Sequence, residues 1–344
     1  MVTKKSSNLI GVIGDMHLRD ELSYADYIAD RRQSEKKEIL DFIVQSFQDC
    51  QHIVLLGDNF NSKNNSSETN REMVAFIERF GDKQIYILSG NHEKRGDGKT
   101  AVDFLGEVKR PNWHIFTKPS SITDNELKLD FLPYTLDSEV NVINHADATT
   151  EIIEHLEGGD ILFAHHSISG TSFNGIKTDS LNEVVLPKEE LEARYKLIVA
   201  GHIHQPQQYG KVLITGSLFT AEVGEKEKFI YKIRQDLSVE TLKVPAREIW
   251  KIENPKYNQL QAIPKNSIVK VILTTPGLDV EGIKDELSKF DAHLLIEDYP
   301  SERKKMHVAE GAFDFSIEAL LKLYAEEKGV DLEKLKKGLA LISN

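Results

Sequence analysis

Cysteine is nearly missing: a single thiol, Cys50, stands in a chain of 344 residues. One thiol excludes an internal disulfide framework and any all-thiolate metal site, so a metal here must be held by His, Asp, Glu or Asn. Long apolar runs are missing too. No stretch reaches the roughly 18 residues a bilayer span requires. The opening MVTKKSSNLIGVIGD has two lysines but only a short apolar stretch leading into polar residues, unlike a cleaved leader. These absences predict a cytoplasmic protein with no membrane association. Basic residues are in the minority, 43 Lys and Arg against 55 Asp and Glu, for a formal net charge of -12. That balance argues against nonspecific nucleic-acid binding by the whole surface, but not against a local basic face or a site whose sign is changed by bound cations. A G-x-x-x-x-G-K-[ST] phosphate loop is absent, so no ATP site of that kind is expected. Internal repeats and extended low-complexity tracts are absent as well.

What is present is an ordinary globular composition, 40% apolar and 28% charged, in a chain long enough for one large domain with something appended. From Leu9 to about Val244, short β-rich apolar runs alternate with helical stretches. LIGVIG, HIVLLG, QIYILSG, ILFAHH, LIVAGH and VLITGS read as buried strands; residues 32–48 and 68–80 have helical spacing. This is an α/β layout. Beyond Val244 the order strand, strand, helix, strand predicts a small separate unit. SERKKMHVAE, residues 301–310, reads as a linker, followed by two amphipathic helices broken at Gly329, with Asp331 as the second N-cap.

Five of the apolar runs stop and give way at once to ligand-type residues: GDMH (Asp15, His17), GDNF (Asp58), GNHE (Asn91, His92, Glu93), AHHS (His165) and GHIH (His202, His204). In layered α/β sheets ligands bind at the carboxyl ends of strands, which puts these residues on one rim. Pairs spaced i, i+2 project to the same side of an extended segment, so Asp15 with His17, and His202 with His204, can each aim two ligands inward. A lone motif of this kind is more often a turn or cap; five in series are not. The nitrogen and oxygen inventory suits manganese, iron or zinc better than calcium. Seven ligands are too many for one such ion, whereas two ions sharing a bridging carboxylate fit the count and can activate water for phosphoryl displacement. His165 is preferred over His166 because it directly follows the strand.

The ordered set D-x-H, GD, GNH, H and GHxH resembles the calcineurin-like metallophosphoesterase superfamily. That resemblance implies a four-layer sandwich of two β-sheets flanked by helices. It also implies that Asp15, His17 and His204 hold one metal, Asn91, His165 and His202 the other, and that Asp58 bridges them. His92 would be the general acid or transition-state stabiliser rather than a ligand, with Glu93 orienting it. The stretch GHIHQPQ, the strand VLITGS and the acidic GEKEKF are similar to the SbcD-type nuclease subunits of bacteria and phages. This closer resemblance implies a nuclease domain at 1–244, a small α+β DNA-capping domain at 245–300, the linker at 301–310, and a C-terminal helical pair at 311–344. The pair would bind an SbcC-type ATPase through Ile317, Leu320, Leu321, Tyr324, Leu335 and Leu339. It implies an exonuclease or endonuclease acting on DNA ends in repair or recombination, two manganese ions (iron, zinc and magnesium being alternatives) and a homodimer, in a bacterial cell or the host of a phage. Asn61 and Glu93 depart from the subfamily, which often has an acidic residue and an aspartate there. Arg19, Lys63, Lys94, Arg95 and Lys99 fall in loops after the motif strands and could contact a DNA backbone. The rival readings are a stand-alone phosphatase or phosphodiesterase on small phosphoesters and a noncatalytic DNA-tethering subunit.

Overall fold

Side chains alternate across a strand, and here both sides of every central strand are apolar, so each must be covered twice. The computed structural model describes residues 9–22, 29–95, 97–124, 126–136, 145–173, 176–180, 183–220, 225, 227–298, 325 and 331–335. The chain divides into two compact units, 1–298 and 299–344.

The first unit begins with β1 (Ile10–Ile13), α1 (Ala29–Ser46), β2 (His52–Leu55), α2 (Ser67–Glu78), β3 (Gln84–Leu88), α3 (Asp103–Glu107) and β4 (Trp113–Phe116). It continues through β5 (Ser120–Asp124), β6 (Leu127–Leu132), α4 (His145–Glu154) and β7 (Gly159–Ala164). Four two-residue strands follow, β8 (Ser167–Ile168), β9 (Ser172–Phe173), β10 (Ile176–Lys177) and β11 (Val185–Leu186). Then come α5 (Lys188–Arg194), β12 (Tyr195–Ala200), β13 (Gln207–Tyr209), β14 (Val212–Ile214), β15 (Phe229–Ile233) and β16 (Val239–Lys243). The predicted apolar runs are all strands, and the two predicted helices form within a few residues of their expected bounds.

Two six-stranded sheets result, in the orders β16-β15-β1-β2-β3-β4 and β13-β14-β12-β7-β6-β5. Their central strands run parallel, β1 to β4 in one and β6, β7, β12 and β14 in the other. The alternation sorts the core into three layers. Ile10, Val12, Val54, Leu56, Tyr86 and Leu88 meet Leu129, Phe131, Ile161, Phe163, Leu197 and Val199 between the sheets. Ile13, Ile53, Leu55, Ile85 and Ile87 point the other way, onto Ile39, Leu40 and Ile43 of α1 and Met73, Phe76 and Ile77 of α2. Leu162, Ala164, Ile198 and Ala200 face Ala148 and Ile152 of α4 and Leu191 of α5. Helix, sheet, sheet, helix is the four-layer sandwich that was expected. Full burial of each Val, Leu or Ile stabilises it by about 1.5–3 kcal/mol against exposure.

The order of the sheets also positions the site. β1, β2 and β3 are neighbours, as are β7 and β12, and in a parallel set all carboxyl ends lie on one edge. The loops after these five strands carry the five motifs.

Residues 249–297 build a third sheet within the same unit: β17 (Ile249–Glu253), α6 (Tyr257–Gln261), β18 (Ile268–Leu273), α7 (Val280–Leu287) and β19 (Ala292–Glu297), in the order β17-β18-β19. The short α6 was not anticipated. All three strands are parallel, so each connection must cross back over the sheet, and α6 and α7 are those crossovers. In the second unit the described residues are Ala325 and 331–335. The Asp331 carboxylate accepts the Glu333 N–H at 2.8 Å, the N-cap expected of it. Leu335 is half-buried there. The other residues assigned to the ATPase partner (Ile317, Leu320, Leu321, Tyr324 and Leu339), Gly329 and the linker 301–310 lie outside the described residues. No described helix is long and apolar enough to cross a membrane.

Candidate metal centre

The seven predicted ligands converge. Asp15 and Asp58 are buried to 0% and 1% exposure, depths at which an unmatched carboxylate is costly. Both oxygens of Asp15 accept the His202 N–H, at 2.9 and 3.0 Å, and Oδ1 lies 3.3 Å from His165 Nδ1. Asp58 Oδ2 stands 3.8 Å from His17 Nε2, 3.4 Å from His165 Nε2 and 4.0 Å from His92 Nε2. Two groups of potential ligand atoms, His17–Asp58–His92 and Asp15–Asp58–His165, each fit within 4.8 Å and share Asp58. The shared residue is the one expected to bridge.

The backbone is bent to bring them in. His17, Asp58 and His202 occupy the left-handed region, with φ of 48°, 45° and 79°. Such conformations cost on the order of 1–3 kcal/mol each and persist where surrounding structure enforces them. Two motif glycines explain part of that enforcement. A Cβ on Gly90 would lie 2.1 Å from Asp58 Oδ1, and one on Gly57 (φ +98°) would lie 2.5 Å from His165 Nδ1. Any side chain there would displace a candidate ligand.

Hydrogen bonds fix which ring nitrogen of three histidines carries a proton. His165 Nδ1 is 2.7 Å from the Leu56 carbonyl, His202 Nε2 is 3.1 Å from Glu183, and His204 Nδ1 is 3.2 Å from Glu225. Each of these partners is an acceptor, so each nitrogen donates and the opposite one is left with a lone pair. Those inner nitrogens face other candidate ligand atoms. His165 Nε2 and His202 Nδ1 lie 3.1 and 3.0 Å from the Asn91 amide oxygen, and His204 Nε2 lies 2.9 Å from His17 Nε2. Inner nitrogens and an amide oxygen converging at hydrogen-bond distance offer a divalent cation their lone pairs in exchange for the protons they share without it. The His17–His204 spacing is also what two nitrogens about 2.1 Å from one ion, at roughly a right angle, would show.

Electrostatics agree. Burial works to lower the His165 ring, but Asp58 and Asp15 raise it to about 9, a measure of how strongly the pocket favours positive charge. Burial opposes the charge of Asp58, yet His165 and His17 hold its carboxyl well below the ordinary value. Burial pushes His17 down to about 3, keeping its imidazole neutral and free to ligate. The residues therefore fit a pair of first-row divalent ions.

His92 is set apart. Its side chain is 42% exposed, its backbone N–H donates to Asp58 Oδ1 at 2.9 Å, and its Nδ1 lies 3.1 Å from the Asn61 carbonyl. The expected Glu93–His92 hydrogen bond does not form. Glu93, fully buried, instead accepts the Gly90 and Phe60 N–H groups at 2.8 and 3.0 Å and the Asn59 amide at 3.4 Å. It clamps the Asp58 loop to the Asn91 turn, while a backbone carbonyl orients His92, so the departure at the Asn61 side chain does not touch the ring. Burial and then Asp58 push the Glu93 carboxyl up to about 8.

The predicted cationic rim is only partly formed. Lys94 is 6% exposed with Nζ 3.2 Å from the Thr117 carbonyl, so it is an internal tie rather than a rim residue. Arg95 is half-buried and donates to the Lys63 carbonyl at 2.9 Å, joining two motif loops. Lys63 and Lys99 are exposed, and Arg19 is half-buried. Glu183 and Glu225 were not singled out from sequence. Glu225 lies in the acidic GEKEKF turn, whereas Glu183 belongs to no motif. His166, fully buried, accepts the Thr135 N–H through Nε2 at 3.2 Å and stacks on Tyr134, a structural role. A groove of about 910 Å³ runs from His204 and Glu225 past Gln207 and Phe229 to Trp250 and Pro264.

The model of the family described as calcineurin-like phosphoesterase matches residues 9–206. Among solved structures, a single mutant of Vps29 from Entamoeba histolytica is similar at 14% identity, covering 69% of this chain and 98% of that one, with a TM-score of 0.31. Vps29 from Chaetomium thermophilum is similar at 13% identity, covering 69% and 97%, with a TM-score of 0.30. No curated protein matches the chain.

Proposed function

The chain belongs to the calcineurin-like phosphoesterase family, and from that membership and its converging seven-residue centre we propose a two-metal phosphodiesterase that cleaves DNA. The observation that carries the reading is the convergence of His17, His165 and the exposed His92 on the Asp58 carboxylate, with Asp15 beside His165. Asp15, His17 and His204 would hold one ion, Asn91, His165 and His202 the other, with manganese the expected metal. Bound ions of this kind supply Lewis acidity and a water of lowered pKa.

The chain's own residues do the rest. Leu56, Glu183 and Glu225 hold His165, His202 and His204 in the tautomers that present lone pairs inward. The Asn61 carbonyl accepts the His92 Nδ1–H, so from the doubly protonated ring it is Nε2–H that passes its proton to the departing oxygen, leaving the neutral Nδ1–H imidazole. A correctly placed acid of this type contributes about 10²–10⁴-fold.

The DNA assignment rests on the GHIHQPQ, VLITGS and GEKEKF segments and on the exposed Lys63 and Lys99 in the motif loops. In this reading residues 1–244 are the nuclease domain and 245–300 cap the DNA. Residues 301–310 link these to a helical segment, 311–344, that engages an SbcC-type ATPase in a dimeric repair or recombination complex. The test is release of label from end-labelled linear duplex DNA by the purified chain with manganese, beside bis-p-nitrophenyl phosphate and the His92→Ala variant. Cleavage of DNA that the variant loses supports the reading. Turnover of the small diester with DNA left intact, even with the ATPase partner added, favours a small-phosphoester hydrolase instead.

A further inference from the structure

The four imidazoles of the centre differ in what holds their outer nitrogen. His165 has a neutral carbonyl, and His17 Nδ1 is buried without a hydrogen-bond partner. His202 and His204 each have a carboxylate. Those two carboxylates stand in opposite environments. Glu225 is 3.2 Å from Ser217 Oγ and is also bound by the Lys228 ammonium, whose side chain is 1% exposed. Lys228 in turn donates to Ser217 at 2.6 Å. Glu183 is held on its far side by the Ser167 hydroxyl, with no Lys or Arg on it among the described residues.

We propose that Glu183 and Glu225 are positioning residues that separately set the affinities of the two ions, Glu183 through His202 and Glu225 through His204. Each contacts one imidazole: Glu183 meets His202, which shares the Asn91 amide oxygen with His165, and Glu225 meets His204, which faces His17. A carboxylate accepting the outer N–H of a ligating histidine locks its tautomer and raises its basicity. The Lys228 ammonium neutralises one carboxylate and leaves the other at full charge. Glu183 therefore polarises its histidine more strongly than Glu225 does, and the two ions are bound unequally. This inference rests on the two-ion reading above.

Manganese binding to the full chain, followed by the electron paramagnetic resonance of free Mn2+, tests it without recourse to activity. Wild type should take up two ions of different affinity. Glu183→Ala should weaken one of them by about 10–100-fold and leave the other within twofold, with Glu183→Gln intermediate because an amide oxygen still accepts the N–H. Glu225→Ala alone would strand a buried ammonium and destabilise the fold, so Glu225→Ala is combined with Lys228→Met. This double variant should weaken the other ion, by a smaller factor. In an Asn91→Ala background, where the His202 ion is already compromised, Glu183→Ala should add nothing. Two ions bound with wild-type affinities in both Glu183→Ala and the double variant would overturn the inference. Fewer than two ions in wild type would instead overturn the two-ion reading beneath it.

Discussion

The motif rim and the third sheet both end parallel strands in clusters of polar residues, yet the two clusters behave in opposite ways. At the ends of β17 and β18, Asn254 donates to Thr274 Oγ1 at 2.7 Å and accepts the Thr274 and Thr275 N–H groups at 2.8 and 3.2 Å, while Thr274 Oγ1 donates to Glu253 at 2.7 Å. Asn254 even shares the left-handed backbone, with φ of 44°. Every donor there meets an acceptor, so the strained residue is a lock. At the motif rim, Asn91 Oδ1 is set between two imidazole nitrogens and His17 against His204, groups that crowd on one another instead of pairing off one to one. Polar residues at a strand end mark a site when they fail to satisfy one another, and a turn when they succeed.

The largest effect should come from removing the shared carboxylate. Asp58→Ala should weaken binding of both ions beyond the roughly 100-fold typical of outer partners and take diester hydrolysis to background, as measured by metal titration and turnover. His92→Ala should lower kcat by about 10²–10⁴-fold while metal binding falls far less than in Asp58→Ala, because its ring lies at the exposed edge of the cluster, 4.0 Å from the shared carboxylate. Adding manganese at 100 times its dissociation constant should stabilise the metal-free chain by about 2.7 kcal/mol per ion. Thermal denaturation would show a rise in Tm that Asp58→Ala abolishes. The smallest effect belongs to the lock: Asn254→Ala should cost about 1–2 kcal/mol of stability, read by denaturant titration, with turnover unchanged. Loss of turnover in that variant would erase the distinction between the two regions.

Much of this was legible in the sequence because it is local. Strand alternation gave the three core layers, and each motif directly follows its strand, so all seven converging residues could be named. What was not legible depends on partners far apart in the chain. Glu183 reaches His202 from a stretch, DSLNEVV, that has no pattern of its own, and Glu93 turned out to face the backbone of Gly90 and Phe60 rather than its neighbour His92. Lys94 looked like a rim cation until the fold set it under the Thr117 carbonyl. Spacing reports which side of a strand a residue occupies, not which distant atom it meets there.

The most direct test of the central claim is the stoichiometry of manganese bound to the metal-stripped chain, measured by calorimetric titration beside Asp58→Ala. Two ions in the wild type, with both lost or severely weakened in the variant, is the expected result. A single ion, or two that bind Asp58→Ala as well as wild type, would contradict a centre built around a shared carboxylate.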